Sequence, residues 1–514
     1  MNSMDQESSD TINDPYRLTS DRVIEPPAGW LGSLRFLGPG FILSASIVGS
    51  GELIATTILG AKAGFVLLWF IIFSCIVKVT LQLEFGKHAI SSGESTMASL
   101  NKLPGPRIGK ANWSIWIWLL LMSVKMLQLG GIIGGVVLAI AQFFPGLPAN
   151  PIALWMVTFG IAATVSLLVF GGYYRLLERV SLIMIAGFTL FTLASLISLQ
   201  STEMGIALPD IASGLSFQLP KPLLLLAIGA FGITGVGGDE IMAYNYWLIE
   251  KGYASFVGPR PAGDQSSANL DAWYRRARGW IRIMYLDAIL ALIAYTAVTV
   301  MFYLLGAAIL HRNGIVPEKS QLIESLATMY TQSLGPWARN VFLVGAVIVL
   351  YSTLFAALAA WTRLFSDALG RIGMYSFENP VSRKRAIAIL AWVFPAVWAA
   401  TFLVFQSPGW MVIVGGLSTA VILLIVVFAA IYFRYRRLDR RLRPSVIYDT
   451  ALWLSAIAIT FVVLVGIRDA WSRTREYLAP KPTSHISYST NDNVVRSMIG
   501  RDLFSVESVS RNSI

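Results

Sequence analysis

Eleven apolar runs, each long enough to form a membrane-spanning helix, occupy most of this 514-residue chain. A helix needs about 20 apolar residues to cross a hydrocarbon core that is ~30 Å thick. The chain is 55% hydrophobic and 13% charged, with a mean hydropathy of +0.63, which excludes an ordinary soluble enzyme. The runs therefore predict an all-α membrane protein. They cover approximately residues 36–61, 65–85, 115–143, 152–170, 180–199, 223–249, 286–310, 341–364, 387–405, 410–433 and 446–467.

Lysines and arginines are distributed unevenly between the loops that join these runs. Alternate loops carry 22 of them if the amino terminus is cytoplasmic, and the opposite loops carry five. This asymmetry predicts a cytoplasmic tail over residues 1–35 and a transmembrane domain over residues 36–471. We expect the membrane to be a prokaryotic cytoplasmic (inner) membrane. It also accounts for the net charge of +11 without a nucleic acid partner. Residues 472–514 are rich in Ser, Asn and Arg, which is typical of a disordered tail.

Two of the runs contain nearly the same decapeptide. Ser46–Ala55 reads SIVGSGELIA, and Thr234–Ala243 reads TGVGGDEIMA. Glycine-interrupted helices at matching places in two halves of a membrane protein are typical of transporters built from inverted repeats, with the substrate between the broken segments. We therefore expect repeats over about residues 36–200 and 221–435, with an extra span at 446–467.

The two copies place acidic side chains beside the expected breaks. Unwound backbone exposes carbonyl oxygens, such as that of Gly49, which can coordinate a cation. Glu52, Asp239 and Glu240 would add three carboxylates, and an acid within a span indicates a functional site. We therefore predict that the three acids surround one cation. Alternatively, Glu52 and Glu240 make structural hydrogen bonds or hold a proton, and Asp239 caps the resumed helix.

Met242 follows Asp239 by three residues, so a resumed helix would present both on one face. Hard oxygens with one soft sulfur suit manganese or iron, whereas oxygens alone suit magnesium or calcium. The alternative for Met242 is core packing. A single cysteine and three histidines exclude a cysteine-rich zinc site, a redox dithiol and a histidine metal cage.

Gly38–Gly93 resembles, without gaps, the first two spans of the Nramp family of divalent metal transporters. The marker residues are the initial Gly-Pro, the glycine at 51, Leu-Leu-Trp at 67–69 and the glutamine at 82. GYYRLLERVSLIMIAGF from Gly172 and GDEIMAYNY from Gly238 resemble the fifth and sixth spans. The resemblance implies a leucine-transporter-type fold, with spans 1–5 and 6–10 as inverted repeats and helices 1 and 6 broken. It also implies a divalent metal ion as the transported substrate.

The resemblance includes departures at the metal site. The family's Asp-Pro-Gly-Asn motif falls on residues 49–52, where Glu52 replaces the asparagine and Gly49 the aspartate. In the sixth span the family's methionine ligand falls on Met242, its carbonyl ligand on Asp239 and its histidine on Tyr244. Its proton-pathway acids fall near Gln128, which cannot titrate, so the resemblance predicts weak or absent proton coupling unless the acids at the breaks supply it.

Two roles are open for Lys125, in the third span. It neutralises an acid of the empty site until the ion displaces it, or its side chain extends toward the membrane–water interface. The leading hypothesis is a secondary transporter or facilitator for manganese, iron or magnesium, working by alternating access. One alternative keeps the fold but moves a small organic solute with sodium or protons; another is a receptor that binds an ion without transport. The chain shows no enzyme motif, and we expect no cofactor and no obligatory protein partner beside the lipid bilayer.

Overall fold

The computed structural model describes residues 14–40, 48–144, 146–170, 174–261, 267–317 and 321–478. Most of them are helical. The α-helices are α1 (Trp30–Leu34), α2 (Thr57–Ala63), α3 (Leu68–Ser92), α4 (Thr96–Leu100), α5 (Trp113–Ala141), α6 (Pro151–Phe170), α7 (Tyr174–Leu199), α8 (Leu208–Gly214), α9 (Leu224–Ile233), α10 (Gly238–Lys251), α11 (Tyr253–Val257), α12 (Ser267–Leu305), α13 (Leu322–Leu334), α14 (Ala338–Ile372), α15 (Pro380–Phe405), α16 (Pro408–Tyr432) and α17 (Val446–Leu478).

Shorter elements join or extend these helices. Among the elements that lie wholly within the described residues, three segments are π-helical, three are 3₁₀ turns, and two short strands pair in antiparallel fashion. The π segments are Val48–Thr56, Gly306–His311 and Phe433–Arg437; the 3₁₀ turns are Ser20–Arg22, Lys221–Leu223 and Arg440–Leu442; the strands are β1 (Arg107–Ile108) and β2 (Ala111–Asn112).

Nine helical stretches among the described residues are long and apolar enough to cross a membrane. They correspond to the predicted spans two to four and six to eleven, which confirms the helical membrane architecture. The predicted first span includes residues 41–47, which lie outside the described residues. The predicted fifth span lies within α7, whose apolar part Ile185–Leu199 is shorter than the other nine stretches. The predicted tail is described only as far as Leu478. Contacts divide the chain into a unit that ends at Asp469 and a second unit that begins at Ala470.

Exposed apolar side chains cover the helices at the outside of the bundle. On α6, Ile152, Trp155 and Met156 are more than half exposed. Large apolar side chains do not stay in water at this density in a soluble monomer, so this surface is suited to lipid. The centre is formed by α5, which packs along α14, α15 and α16, and by α9, which packs on α16.

The segment that precedes the first span is tied to the helices by buried polar contacts. Asp14 pairs with Arg383 of α15 at 2.6 Å, and both side chains are buried. The Tyr16 hydroxyl donates to Glu250 of α10 at 2.7 Å. The chain before the first span is therefore part of the packed structure as far back as Asp14.

Candidate metal site

The second glycine-interrupted segment is a broken helix, as predicted. α9 ends at Ile233, residues 234–237 are not helical, and α10 begins at Gly238. Gly235 has φ +64°, and a Cβ there would lie 3.1 Å from the Cα of Cys75. Only glycine adopts that conformation readily and leaves that space. The glycines therefore produce the break both through backbone freedom and by allowing α3 to approach.

The first segment has a different form. Val48–Thr56 is π-helical rather than unwound, while Ser46 and Ile47 lie outside the described residues. The Thr56 hydroxyl donates to the Gly51 carbonyl at 2.7 Å, five residues back. A π-helix leaves wider turns, and such turns occur often at functional sites. Within the described part, the first copy is thus a distorted helix and not an extended break.

A small cavity lies beside the start of α10, between α5 and α14. Asp239 and Glu240, in the first turn of α10, line it together with Lys125 of α5 and Trp361 of α14. Its volume is about 20 Å³, which is room for about one water molecule. A site of this size suits a single ion.

Lys125 and Asp239 form an ion pair at the edge of this cavity, with their side chains 1% and 3% exposed. The second oxygen of Asp239 accepts a hydrogen bond from the Trp361 indole at 3.0 Å. Glu240 lies 3.8 Å from the Lys125 ammonium, and its side chain is 16% exposed. With both acids ionised, the lining of the cavity carries two negative charges and one positive charge. The uncompensated carboxylate favours a cation there, since a buried unpaired charge is costly.

The structure resolves the alternatives for Lys125 and Asp239. Lys125 neutralises an acid of the site instead of extending toward an interface. The interpretation of Asp239 as a helix cap is wrong, because Gly237 occupies the cap position and makes no side-chain cap. Gln128 also lines the cavity.

Glu52 does not line this cavity and has partners other than the two acids. One of its carboxylate oxygens accepts from the Gly235 amide at 3.2 Å and from the Thr299 hydroxyl at 2.9 Å. Among the described residues no three His, Cys, Asp or Glu side chains are grouped so that they could hold a metal. In this structure the three acids are therefore not grouped around one point, and Glu52 makes hydrogen bonds of the structural kind that were its alternative.

Met242 lies outside the lining of the cavity. Asp239, Glu240, Ala243 and Trp247 are the residues of α10 that line it. At about 100° per residue these four occupy one face, and Met242 lies more than a quarter turn from its centre. Its side chain is fully buried. This position agrees with the alternative that Met242 packs in the core and does not bind the ion.

Gly49 and Tyr244 also contact residues other than the two acids. A Cβ at Gly49 would overlap the Thr353 side chain of α14, so the glycine permits close packing of the first segment on that helix. The Tyr244 hydroxyl donates to Asp287 of α12 at 3.0 Å. Asp287 also accepts from the Gly38 amide at 2.9 Å, so it joins the entry of the first span to α10 and α12.

Trp361 and Asp287 were missed by sequence reasoning. A tryptophan within an apolar run requires a partner for its indole N–H, and this requirement could have indicated Trp361. Asp287, at the start of a span, is a buried acid of the kind that marks a functional or structural contact. Neither signal identifies the partner.

Sequence comparisons match most of the chain to known proteins. A sequence model described as "Natural resistance-associated macrophage protein-like", or Nramp, matches residues 40–468. The divalent metal cation transporter MntH 1 of Pseudomonas aeruginosa is 24% identical over 441 residues, which are 84% of this chain and 89% of that protein. The divalent metal cation transporter MntH of Xanthomonas campestris is 24% identical over 467 residues, which are 87% and 92% of the two chains.

Solved structures resemble the chain over nearly its whole length. A mutant of the manganese transporter of Eremococcus coleocola has a TM-score of 0.55 at 15% identity and covers 94% of this chain and 95% of its own. MhsT, in complex with L-phenylalanine, has a TM-score of 0.54 at 16% identity, with coverage of 87% and 100%. These likenesses confirm the leucine-transporter-type fold.

Proposed function

The chain belongs to the natural resistance-associated macrophage protein-like (Nramp) family, and we propose that it moves a divalent metal cation across a membrane by alternating access. The family is one of membrane transporters rather than of enzymes. The bacterial relatives that match most of the chain are named as divalent metal cation transporters. They also support a prokaryotic cytoplasmic membrane as the location, with the amino terminus on the cytoplasmic side by the distribution of basic loops.

The observation that carries the proposal is the Glu240 carboxylate, which faces an ion-sized cavity beside an aspartate that is already paired with lysine. A divalent ion that enters this cavity meets Glu240 first. It then competes with the Lys125 ammonium for Asp239, because both cations need the same oxygen atoms. We infer that Lys125 is the counter-charge of the empty site and that the ion displaces it.

The proposed ligands are therefore the side chains of Asp239 and Glu240. Gly49, Glu52 and Met242 stay predictions, and contact with the ion would require each to move from its present position. In its present position Glu52 has a structural role, since its carboxylate accepts a hydrogen bond from the Gly235 amide at the helix break. Gln128 lines the cavity and cannot carry a proton, which supports weak proton coupling.

The lining of the cavity weighs against an anionic organic solute, because the carboxylates of Asp239 and Glu240 both face it.

The test is uptake into liposomes that contain the purified protein. Manganese, iron(II), magnesium and calcium would be offered separately, with a panel of amino acids and nucleobases as organic solutes, while a dye reports the internal pH. We expect saturable manganese uptake and little acidification. Uptake of an organic solute but of none of the metals would reject the proposal. Saturable metal binding without uptake would indicate a receptor instead.

A further inference from the structure

Lys78 of α3 is a buried lysine that the metal site does not use. Its side chain is inaccessible to solvent, in the middle of a predicted span. The ammonium group donates to the backbone carbonyls of Phe231 at 2.6 Å and Thr234 at 2.5 Å. Both acceptors are neutral oxygens rather than carboxylates. Such a position is expensive for a charge unless the surroundings are built for a cation.

The surroundings of the ammonium have the features of a cation site. Phe231 and Thr234 lie at the carboxyl end of α9, where carbonyls lose their helical partners and the helix dipole is negative. The Phe231 ring lies 4.9 Å from the nitrogen, which adds a cation–π contact. The Ser74 hydroxyl lies 3.0 Å from the Thr234 hydroxyl and 3.2 Å from the Phe231 carbonyl. Carbonyl oxygens at an unwound helix end are also the groups that coordinate small monovalent cations in transporters.

Lys78 and Glu52 act on the same peptide group. The Thr234 carbonyl accepts from Lys78, and the amide of the next residue, Gly235, donates to Glu52 at 3.2 Å. This peptide therefore lies between a positive and a negative side chain, with its dipole aligned between them. It is the peptide that leads into the left-handed conformation of Gly235, where the helix is interrupted. The pair fixes the geometry of the break.

We propose that Lys78 is a tethered monovalent cation, which takes the place of a free sodium, potassium or ammonium ion at the broken helix. It is a positioning residue: it sets the shape of residues 234–237, and so the start of α10, without touching the transported ion. Transport by the parent protein therefore needs no free monovalent cation at this position. A variant that lacks the ammonium but leaves its space open acquires a site for one.

The experiment compares two substitutions. Lys78→Ala removes the charge and leaves room for an ion, whereas Lys78→Met removes the charge and fills the room. Each full-length protein is purified, and its thermal unfolding is measured in N-methylglucamine buffer with increasing ammonium, potassium or sodium. We expect both variants to unfold at lower temperature than the parent, and only Lys78→Ala to recover, saturably, with at least one of the small cations. Lys110→Ala, at an exposed lysine, is the control for loss of a lysine and should behave as the parent.

Transport gives a second measurement, which rests on the proposed metal transport. Manganese uptake by Lys78→Ala should fall about tenfold or more in N-methylglucamine, because two charge-assisted hydrogen bonds are lost, and should return with the same cation. Equal responses of the Ala and Met variants to cations, or no response of either, would overturn the proposal, as would full stability of Lys78→Ala without cations. Absence of manganese uptake by the parent would reject the transport function alone, since the unfolding measurements test the tethered cation independently.

Discussion

The Lys125 ammonium and the Asp239 carboxylate form a buried ion pair that joins α5 to the first turn of α10, across 114 residues of sequence. Glu240, the next residue, has no comparable partner and faces the cavity. A cation that enters the site therefore meets one available carboxylate and one that is occupied by lysine. The affinity of the site for the cation therefore depends on the free energy needed to displace the Lys125 ammonium from Asp239.

Lys125→Met should strengthen metal binding while weakening the empty protein. Removing one partner of a buried pair costs about 3–5 kcal/mol in the free energy of unfolding, because the other charge stays buried. Bound manganese would supply the positive charge that the variant lacks. It should therefore raise the unfolding temperature of the variant more than that of the parent. Thermal unfolding with and without manganese measures both effects. Equal shifts for the two proteins would show that the ion does not compete with Lys125.

Glu240→Gln should weaken manganese binding by at least about tenfold, equal to 1.4 kcal/mol or more, because it removes the uncompensated charge of the cavity. Isothermal titration calorimetry gives the affinity. Glu324→Gln, at an exposed position of α13, is the matched control and should bind as the parent does. Unchanged affinity in Glu240→Gln would place the ion elsewhere.

Met242→Ala should lower stability without changing metal preference. Its side chain is fully buried, and truncating a buried methionine costs about 2–5 kcal/mol. The ratio of manganese to magnesium affinity should stay that of the parent, since the sulfur does not line the cavity. Calorimetry with both ions measures this ratio. A loss of manganese affinity that exceeds the loss of magnesium affinity would indicate that the Met242 sulfur is a ligand.

Tyr244→Phe should also act on stability rather than on binding. The Tyr244 hydroxyl donates to the buried Asp287, and a hydrogen bond to a charged group contributes about 1.5–3 kcal/mol. The unfolding temperature should fall, and manganese affinity should stay unchanged. If the affinity falls instead while the fold is as stable as before, Tyr244 belongs to the ion pathway.

Glu94, in the loop after α3, provides a pH-dependent contribution to stability. Partial burial opposes its ionisation, but hydrogen bonds with His88 and Lys102 and the nearby Arg437 outweigh burial and hold the pKa of Glu94 well below its ordinary value of 4.5. Because the pKa is lower in the folded state, the contribution is complete above pH 4.5 and is lost as the pH falls below it. Glu94→Gln should thus unfold at lower temperature than the parent at pH 7. The difference should shrink as the pH falls below 4.5. A difference that is the same at every pH would exclude this ionisation as its cause.

The sequence was sufficient for features that depend on local properties. The length of each apolar run predicts a span, and the glycines at 235, 237 and 238 predict the interruption between α9 and α10, because both follow from the residues in that stretch alone. The ion pair of Lys125 with an acid of the site remained one of two predictions, and its partner Asp239 was not identified, since the pair joins distant segments.

The orientation of Glu52 was not predictable in the same way. Matching decapeptides suggested that Glu52 and Glu240 face one ion, but the first copy is π-helical and the second is interrupted. The two glutamates therefore have different surroundings, with Glu240 at the cavity and Glu52 hydrogen-bonded to Gly235 and Thr299. Trp361 was missed because its contact with Asp239 spans 122 residues of sequence.

The buried pair of Asp14 with Arg383 has a practical consequence for handling the protein. Hydropathy alone suggests that residues before the first apolar run could be removed for expression. Such a shortened chain would leave the Arg383 guanidinium inside α15 without its carboxylate, and Glu250 would lose the hydroxyl of Tyr16. A low yield or a low unfolding temperature of the shortened protein would then reflect the loss of Asp14 and Tyr16 and not instability of the helical bundle itself.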